Sequence, residues 1–273
     1  MRRIVYLFVL LVPLLVAKAD NTEEADRLFR DGFSLYEQAR YAEAVDKFFS
    51  AGEIFIRLGK GYERHQMNCF YWIGQCLYSL GQFDPAVESF EEALEIAQPI
   101  ASPAERGIIL NYIGLSFFNM KRYEKAIEKY SEALELFVEV ESKRHMALVN
   151  NNLGVAYENR ESYEEALKYY SQALALYGEL GDKDQIALQL ENVAVMYDLS
   201  GRYEEAIDYY RQAVTANREL GNTESAARGL YRQGLMHRYL GEYNDALGIC
   251  GWANLPSTLC LLRQIAGRFT YLI

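Results

Sequence analysis

Apolar residues along this chain recur at intervals of three, four and seven, the period of one face of a helix. Between residues 102 and 140, Ile109, Leu110, Ile113, Phe117 and Phe118 form one apolar stripe. Lys121-Arg122 break it, and Tyr123, Ala126, Ile127, Tyr130, Ala133, Leu134 and Phe137 form a second. Two stripes joined by a short polar break predict a helix pair. Ser102-Pro103-Ala104-Glu105 predicts its start, with Ser and Glu as a capping box and Pro at the first helical position. Asp84-Pro85, and Ser162 with Glu165, predict starts of the second helices of other pairs. Gly81, Gly181, Gly201, Gly221 and Gly241 predict turns.

The pair itself repeats about every forty residues. Gly114, Tyr123, Ala126, Tyr130 and Ala133 recur as Gly154, Tyr163, Ala166, Tyr170 and Ala173, then as Ala194, Tyr203, Ala206, Tyr210 and Ala213. Gly32, Gly74 and Gly234 mark three further copies, with 42 residues separating the first two. A fixed period of this length predicts an all-α solenoid of antiparallel helix pairs, each burying its apolar face against its neighbours. Gly in a helix interior costs roughly 0.5–1 kcal/mol against Ala, so its return at one phase implies close helix approach. The expected contact is Gly154 against Ala166, with the aromatic sixteen residues after each Gly filling the space between pairs. The sixth copy begins with Gly234, Tyr243 and Ala246, after which Gly248, Gly251 and Pro256 are expected to interrupt its second helix. Residues 256–273 are either a capping helix, carrying Leu259, Leu261, Leu262, Ile265 and Phe269, or the end of a truncated or miscalled reading frame.

The first nineteen residues lie outside this pattern. Arg2 and Arg3, an apolar run from Ile4 to Val16 and the small-x-small end Ala17-Lys18-Ala19 predict a secretory signal peptide cut between Ala19 and Asp20. Thirteen apolar residues fall short of the ~20 needed to span a bilayer. The alternative is an uncleaved anchor. The repeat domain is then expected over residues 20–255, in the periplasm or secreted. No Asn-x-Ser/Thr acceptor points to eukaryotic glycosylation. With 28 Lys and Arg against 38 Asp and Glu, the net charge is −10. That excess disfavours nucleic acid and anionic membrane as partners of the mature chain, both being held mainly by basic residues. Cys69 and Cys76 read as core thiols, seven apart on one helix and beyond disulfide reach. Cys250 and Cys260 are either a pair or two free thiols.

Gly, aromatic, Ala, aromatic, Ala at these offsets, with strings such as Tyr163-Glu164-Glu165-Ala166-Leu167 and Tyr203-Glu204-Glu205-Ala206-Ile207, resembles the tetratricopeptide repeat. The likeness covers residues 24 to about 247, and the forty-residue period is similar to the long-repeat subgroup that includes kinesin light chain and spindle adaptors. The resemblance implies a right-handed superhelical solenoid whose first helices line a concave groove that binds a peptide or protein. Groove positions fall six and three before each Gly and one and four after it, one face of a helix. They comprise Asp26, Phe29, Phe33 and Tyr36; Asn68, Tyr71, Gln75 and Tyr78; Ile108, Asn111, Leu115 and Phe118. They continue as Leu148, Asn151, Val155 and Glu158; Leu188, Glu191, Val195 and Asp198; Arg228, Tyr231, Leu235 and Arg238.

Asn111 and Asn151 of this set, with Asn152 and Asn192 just before the Leu-Gly and Val-Ala pairs, are the candidate backbone-gripping amides, since an amide is both donor and acceptor. Asn152 and Asn192 equally satisfy backbone groups at turns. Glu158, Glu191 and Asp198 are candidates to meet a basic segment or are a solvated acidic face. Arg228 and Arg238 are candidates to hold a carboxylate. The aromatics of the first copies read more readily as core.

No nucleophile elbow, phosphate loop or Cys–His pair appears, and His65 and His145, two repeats apart, cannot share a metal ion. His237 stands alone in its copy. The expectation is a non-catalytic exported scaffold needing no cofactor, with self-association open. The alternative is the sensing half of a longer protein with a further effector domain, such as a caspase-like protease.

Overall fold

The computed structural model describes residues 21–252, and twelve α-helices and no strand lie among them. The signal-peptide reading of residues 1–19, Cys260 and the reading of residues 256–273 fall outside the described residues. Packing divides the chain into two units, Met1–Glu141 and Ser142–Ile273.

The first unit holds α1 (residues 21–37), α2 (Tyr41–Leu58), α3 (Glu63–Ser79), α4 (Phe83–Ala97), α5 (Pro103–Asn119) and α6 (Tyr123–Glu139). The second holds α7 (Lys143–Asn159), α8 (Tyr163–Leu180), α9 (Lys183–Leu199), α10 (Tyr203–Glu219), α11 (Thr223–Tyr239) and α12 (Tyr243–Trp252). Within each unit every helix packs on the next, so each expected copy is one antiparallel pair. Odd-numbered helices are the first of each pair and even-numbered ones the second.

The small-residue phase works differently from the expected contact. A Cβ built on Gly154 would lie 2.6 Å from the Tyr170 ring, and one on Gly114 would lie 2.6 Å from the Tyr130 ring. Gly74 faces Phe90 in the same way. The glycine therefore receives the aromatic sixteen residues on in its own pair, and not Ala166. Part of the expectation survives: Tyr170 also clusters with Val193 and Met196 of α9, so the ring does bridge one pair to the next. Ala166, fully buried, packs in that same cluster. Ala194 takes the glycine phase in the fifth copy and clusters with Tyr210 and Met236.

Helix starts obey local chemistry unevenly. Ser102 caps α5 as expected: its Oγ accepts from the Glu105 N–H, Glu105 accepts from the Ser102 N–H, and Pro103 follows. Ser162 makes no side-chain cap for α8. Helix α4 begins at Phe83, before Asp84-Pro85, leaving those residues inside its first turn. Helix α12 runs through Gly248 and Gly251 to Trp252, so neither glycine interrupts it. Burial pushes the Cys69 and Cys76 thiols up to about 12, consistent with inert core positions.

Turns inside the pairs put the residue seven after the small phase in the left-handed region. Gly81, Gly201 and Gly241 sit there without strain, but so do Ala39, Lys121 and Glu161, with φ between 58 and 59°. A side chain in that conformation costs roughly 1–2 kcal/mol.

The ring contact predicts opposite signs for two glycine substitutions. Gly154→Ala must displace Tyr170 and should destabilise by ~1–3 kcal/mol through overpacking. Gly178→Ala, in the same unit with nothing within 4 Å of the added carbon, should stabilise by roughly 0.5–1 kcal/mol. Thermal unfolding of both variants checks this, and equal shifts would refute the ring–glycine assignment.

Candidate functional site

In the first unit, the first-helix positions assemble an aromatic face. Trp72 meets Phe33 and Tyr36 edge-on, each at 5.0 Å, and stacks on Phe48. Tyr112 joins Tyr71, Tyr78 and Phe90. Gln75 Nε2 donates to the Tyr71 hydroxyl at 3.1 Å, and Asn119 Nδ2 to the Tyr78 hydroxyl at 3.0 Å. A cavity of about 170 Å³ opens between α3 and α5, lined by Met67, Asn68, Tyr71, Glu105, Ile108 and Ile109. Three of the expected groove positions, Asn68, Tyr71 and Ile108, thus share one recess. Asn111 is only 6% exposed and offers little surface.

Arg64 fixes one wall of that recess. Its guanidinium donates to Glu105 at 2.6 Å and to the Ile100 carbonyl at 3.0 Å. The Arg64 bond first, and the Ser102 N–H second, bring the Glu105 carboxyl down to about 2.

In the second unit the first helices α7, α9 and α11 are tied side chain to side chain. Gln189 Nε2, on α9, donates to Asn151 Oδ1 on α7 at 2.8 Å. Arg228 Nη2, on α11, donates to Glu191 Oε2 at 3.0 Å, and Arg232 Nη1 lies 3.5 Å from Asp198 Oδ2. Two buried phenols support the acids from below. Tyr170 donates to Glu158 Oε2 at 2.6 Å, and Tyr210 reaches Asp198 Oδ2 at 3.5 Å. Burial, and then the Glu158 carboxylate, push the Tyr170 phenol up, so it stays a donor. Burial raises the Asp198 carboxyl, with Arg232 opposing. Asn217 Nδ2 completes the set, donating to Glu191 Oε1 at 3.1 Å and to the Ala213 carbonyl at 3.0 Å.

Among the sequence-derived candidates the structure therefore sorts roles. Glu191, Asp198 and Arg228 are bound to internal partners. Asn151 is half-buried and held by Gln189; Asn152 and Asn192 are half-buried. Arg238 lies over the Tyr239 ring at 5.2 Å. Sequence reasoning missed Gln189, Arg232 and Asn217, yet two of them carry a readable signal. Gln189 stands where other copies have Cys69, Ile109 and Val149, and Asn217 where they have Phe55, Phe137 and Tyr177. Asn150, at the phase of Phe70, Leu110 and Leu190, is a third polar intruder. Among the described residues the Asn150 and Gln189 side-chain oxygens are buried without a protein partner.

His237 is not alone either. Its Nδ1 lies 2.6 Å from Glu242 Oε2, and Asp245 brings a third ligand-type atom within 4.8 Å. Both acids are exposed at the start of α12, where they also suit the helix dipole.

Tetratricopeptide repeat models match residues 68–99, 105–179, 145–219 and 191–250. No curated protein matches in sequence. A signal transduction ATPase with numerous domains, carrying a tetratricopeptide repeat sensor, from Pyrococcus horikoshii aligns with a TM-score of 0.76 at 18% identity. The alignment covers 91% of this chain and 38% of that one. The nearly identical repeats of a Podosopora anserina protein assigned as a kinesin light chain align at 0.62 and 14% identity, covering 74% and 98%. A Rap protein complexed with competence and sporulation factor aligns at 0.51 and 14%, covering 85% and 76%.

The Arg64–Glu105 pair carries a pH signature. A carboxyl depressed in the folded state contributes stability above its unfolded value and loses it as pH falls through the folded one. The stability difference between wild type and Glu105→Gln should therefore be largest at neutral pH, shrink below ~4.3 and disappear only below about 2. Both groups are substantially exposed, so the difference is small and screened by salt. Thermal unfolding of both proteins across this range measures it; a gap that widens in acid would contradict the assignment.

Proposed function

Because this chain belongs to the tetratricopeptide repeat family, we propose that it is a non-catalytic scaffold that binds a peptide or protein along its first helices. One observation carries the reading. Asn151, Glu191 and Asp198 are fixed by Gln189, Arg228 and Arg232 from the neighbouring first helix. Side chains held this way lose less freedom on binding, which is how a preorganised surface gains affinity. Export follows in this reading from the leader-like residues 1–19, which keep the partner outside the cytoplasm. The fold of a Rap protein solved with competence and sporulation factor supports the use of such a scaffold for ligand capture.

A second reading has its own support. The Pyrococcus horikoshii neighbour is a larger protein, 38% of which this chain covers, and its repeats are named a sensor. In that reading the chain is the sensing half of a longer protein with an effector beyond residue 273. Genomic sequence past codon 273 decides it: a stop with no continuing open frame removes the idea.

A peptide array probed with the chain tests the first reading. Peptides should be retained, and Asn151→Ala with Asn152→Ala should weaken them by about tenfold, the scale of one to two amide hydrogen bonds. Circular dichroism must show the double variant folded, since Asn151→Ala also orphans Gln189. Undiminished binding by a folded double variant would remove the amides from the site.

A further inference from the structure

The repeat register lets one copy serve as a template for another. Asp198 and Glu158 both stand four residues after the small-residue phase, at Ala194 and Gly154. Each faces the phenol sixteen residues after that phase, Tyr210 and Tyr170. Asp198 is completed by Arg232, which stands two residues before the next small phase. The residue standing two before the next small phase beyond Glu158 is Asn192. One copy therefore assembles carboxylate, phenol and guanidinium. In the preceding copy the same register positions carry a carboxylate, a phenol and a neutral amide. Among the described residues Glu158 forms no ion pair.

We propose that Glu158, Tyr170 and Asn192 form a subsite for one basic side chain, Arg or Lys, of the bound segment, in the place that Arg232 fills one copy later. The inference rests on the first-helix face being the binding face. Its chemistry is complete on the protein side. Tyr170 donates to Glu158 Oε2 and fixes the carboxylate, leaving Oε1 to accept from the ligand. The Asn192 carbonyl oxygen can accept a second N–H, and its amide cannot repel the incoming cation. Val155, three residues before Glu158, and Val195, three after Asn192, are half-buried on the same helix faces and suit the aliphatic stem. Glu158 is half-buried, so a pair formed there is screened less than one on the open surface. Glu191 and Asp198 have no comparable opening, because Arg228 and Arg232 already hold them.

Nuclear magnetic resonance titration of the full ¹⁵N-labelled chain with N-acetyl-arginine amide tests the subsite, with N-acetyl-citrulline amide as the uncharged isostere. The arginine derivative should shift resonances around residues 158 and 192, and citrulline should not. Glu158→Gln should weaken the arginine response by about tenfold, the scale of losing one charge-assisted pair. Asn192→Arg should abolish it by supplying an internal guanidinium, as Arg232 does for Asp198. Equal responses to both ligands, shifts centred on Glu191 or Asp198, or an unchanged response in Glu158→Gln would each overturn the proposal. The peptide array fails separately. Retained peptides with no arginine response sink the subsite and leave the scaffold standing; an arginine response with a silent array does the reverse.

Discussion

An aromatic ring seated on a hole in the facing helix is the contact on which this structure depends. At Gly74, Gly114 and Gly154 the first helix gives up its Cβ, and Phe90, Tyr130 or Tyr170 occupies the space. The ring is long enough to do two jobs. Its edge fills the pair to which it belongs, and in the second unit its other side meets Val193 and Met196 of the next pair. Close packing of that kind tolerates little volume change, which explains why the small phase admits only Gly and Ala. For tyrosines 170 and 210 the ring also lifts a hydroxyl to the first-helix face. Core and surface chemistry are thereby built from one residue.

Much of this was legible in the residues. The forty-residue register placed the pairs, and Ser102 to Glu105 announced a helix start that the structure realises atom for atom. Legibility failed where side chains choose between nearby partners. Spacing put Gly154 opposite the second helix but could not tell Ala166 from Tyr170, because both face inward on successive turns. It placed Ser162 before a helix, yet only Ser102 has an extended backbone that aims its hydroxyl at the third N–H. Gly248 and Gly251 looked like breakers, but a helix can carry glycines at a cost of ~1 kcal/mol each.

The candidate site was less legible than the fold, for a reason of geometry. One-dimensional register identifies which residues share a helix face, but the partners of Glu191 and Asp198 arrive from the next first helix, some thirty-five residues away. Arg228 and Arg232 are spaced four apart, and so lie on one face; the acids they reach are seven apart on another helix. Composition alone counts four charges here. In space they form two neutral pairs, and the apparent acidity of this stretch narrows to Glu158. The buried amides were flagged by sequence in principle, since Gln189 and Asn217 each replace an apolar residue at a fixed phase.

The left-handed turns bear on how the pairs come into being. Where Gly81, Gly201 or Gly241 stands, the reversal is accessible to the free chain and a hairpin can nucleate locally. At Ala39, Lys121 and Glu161 the same reversal opposes the local preference of the residue. In those pairs the ring docked on the facing helix helps hold the turn against that preference. The conformational cost of closing a pair then depends on its turn residue. Glycine-turned pairs reverse without steric strain, whereas the other three hold a side chain against its preference by roughly 1–2 kcal/mol.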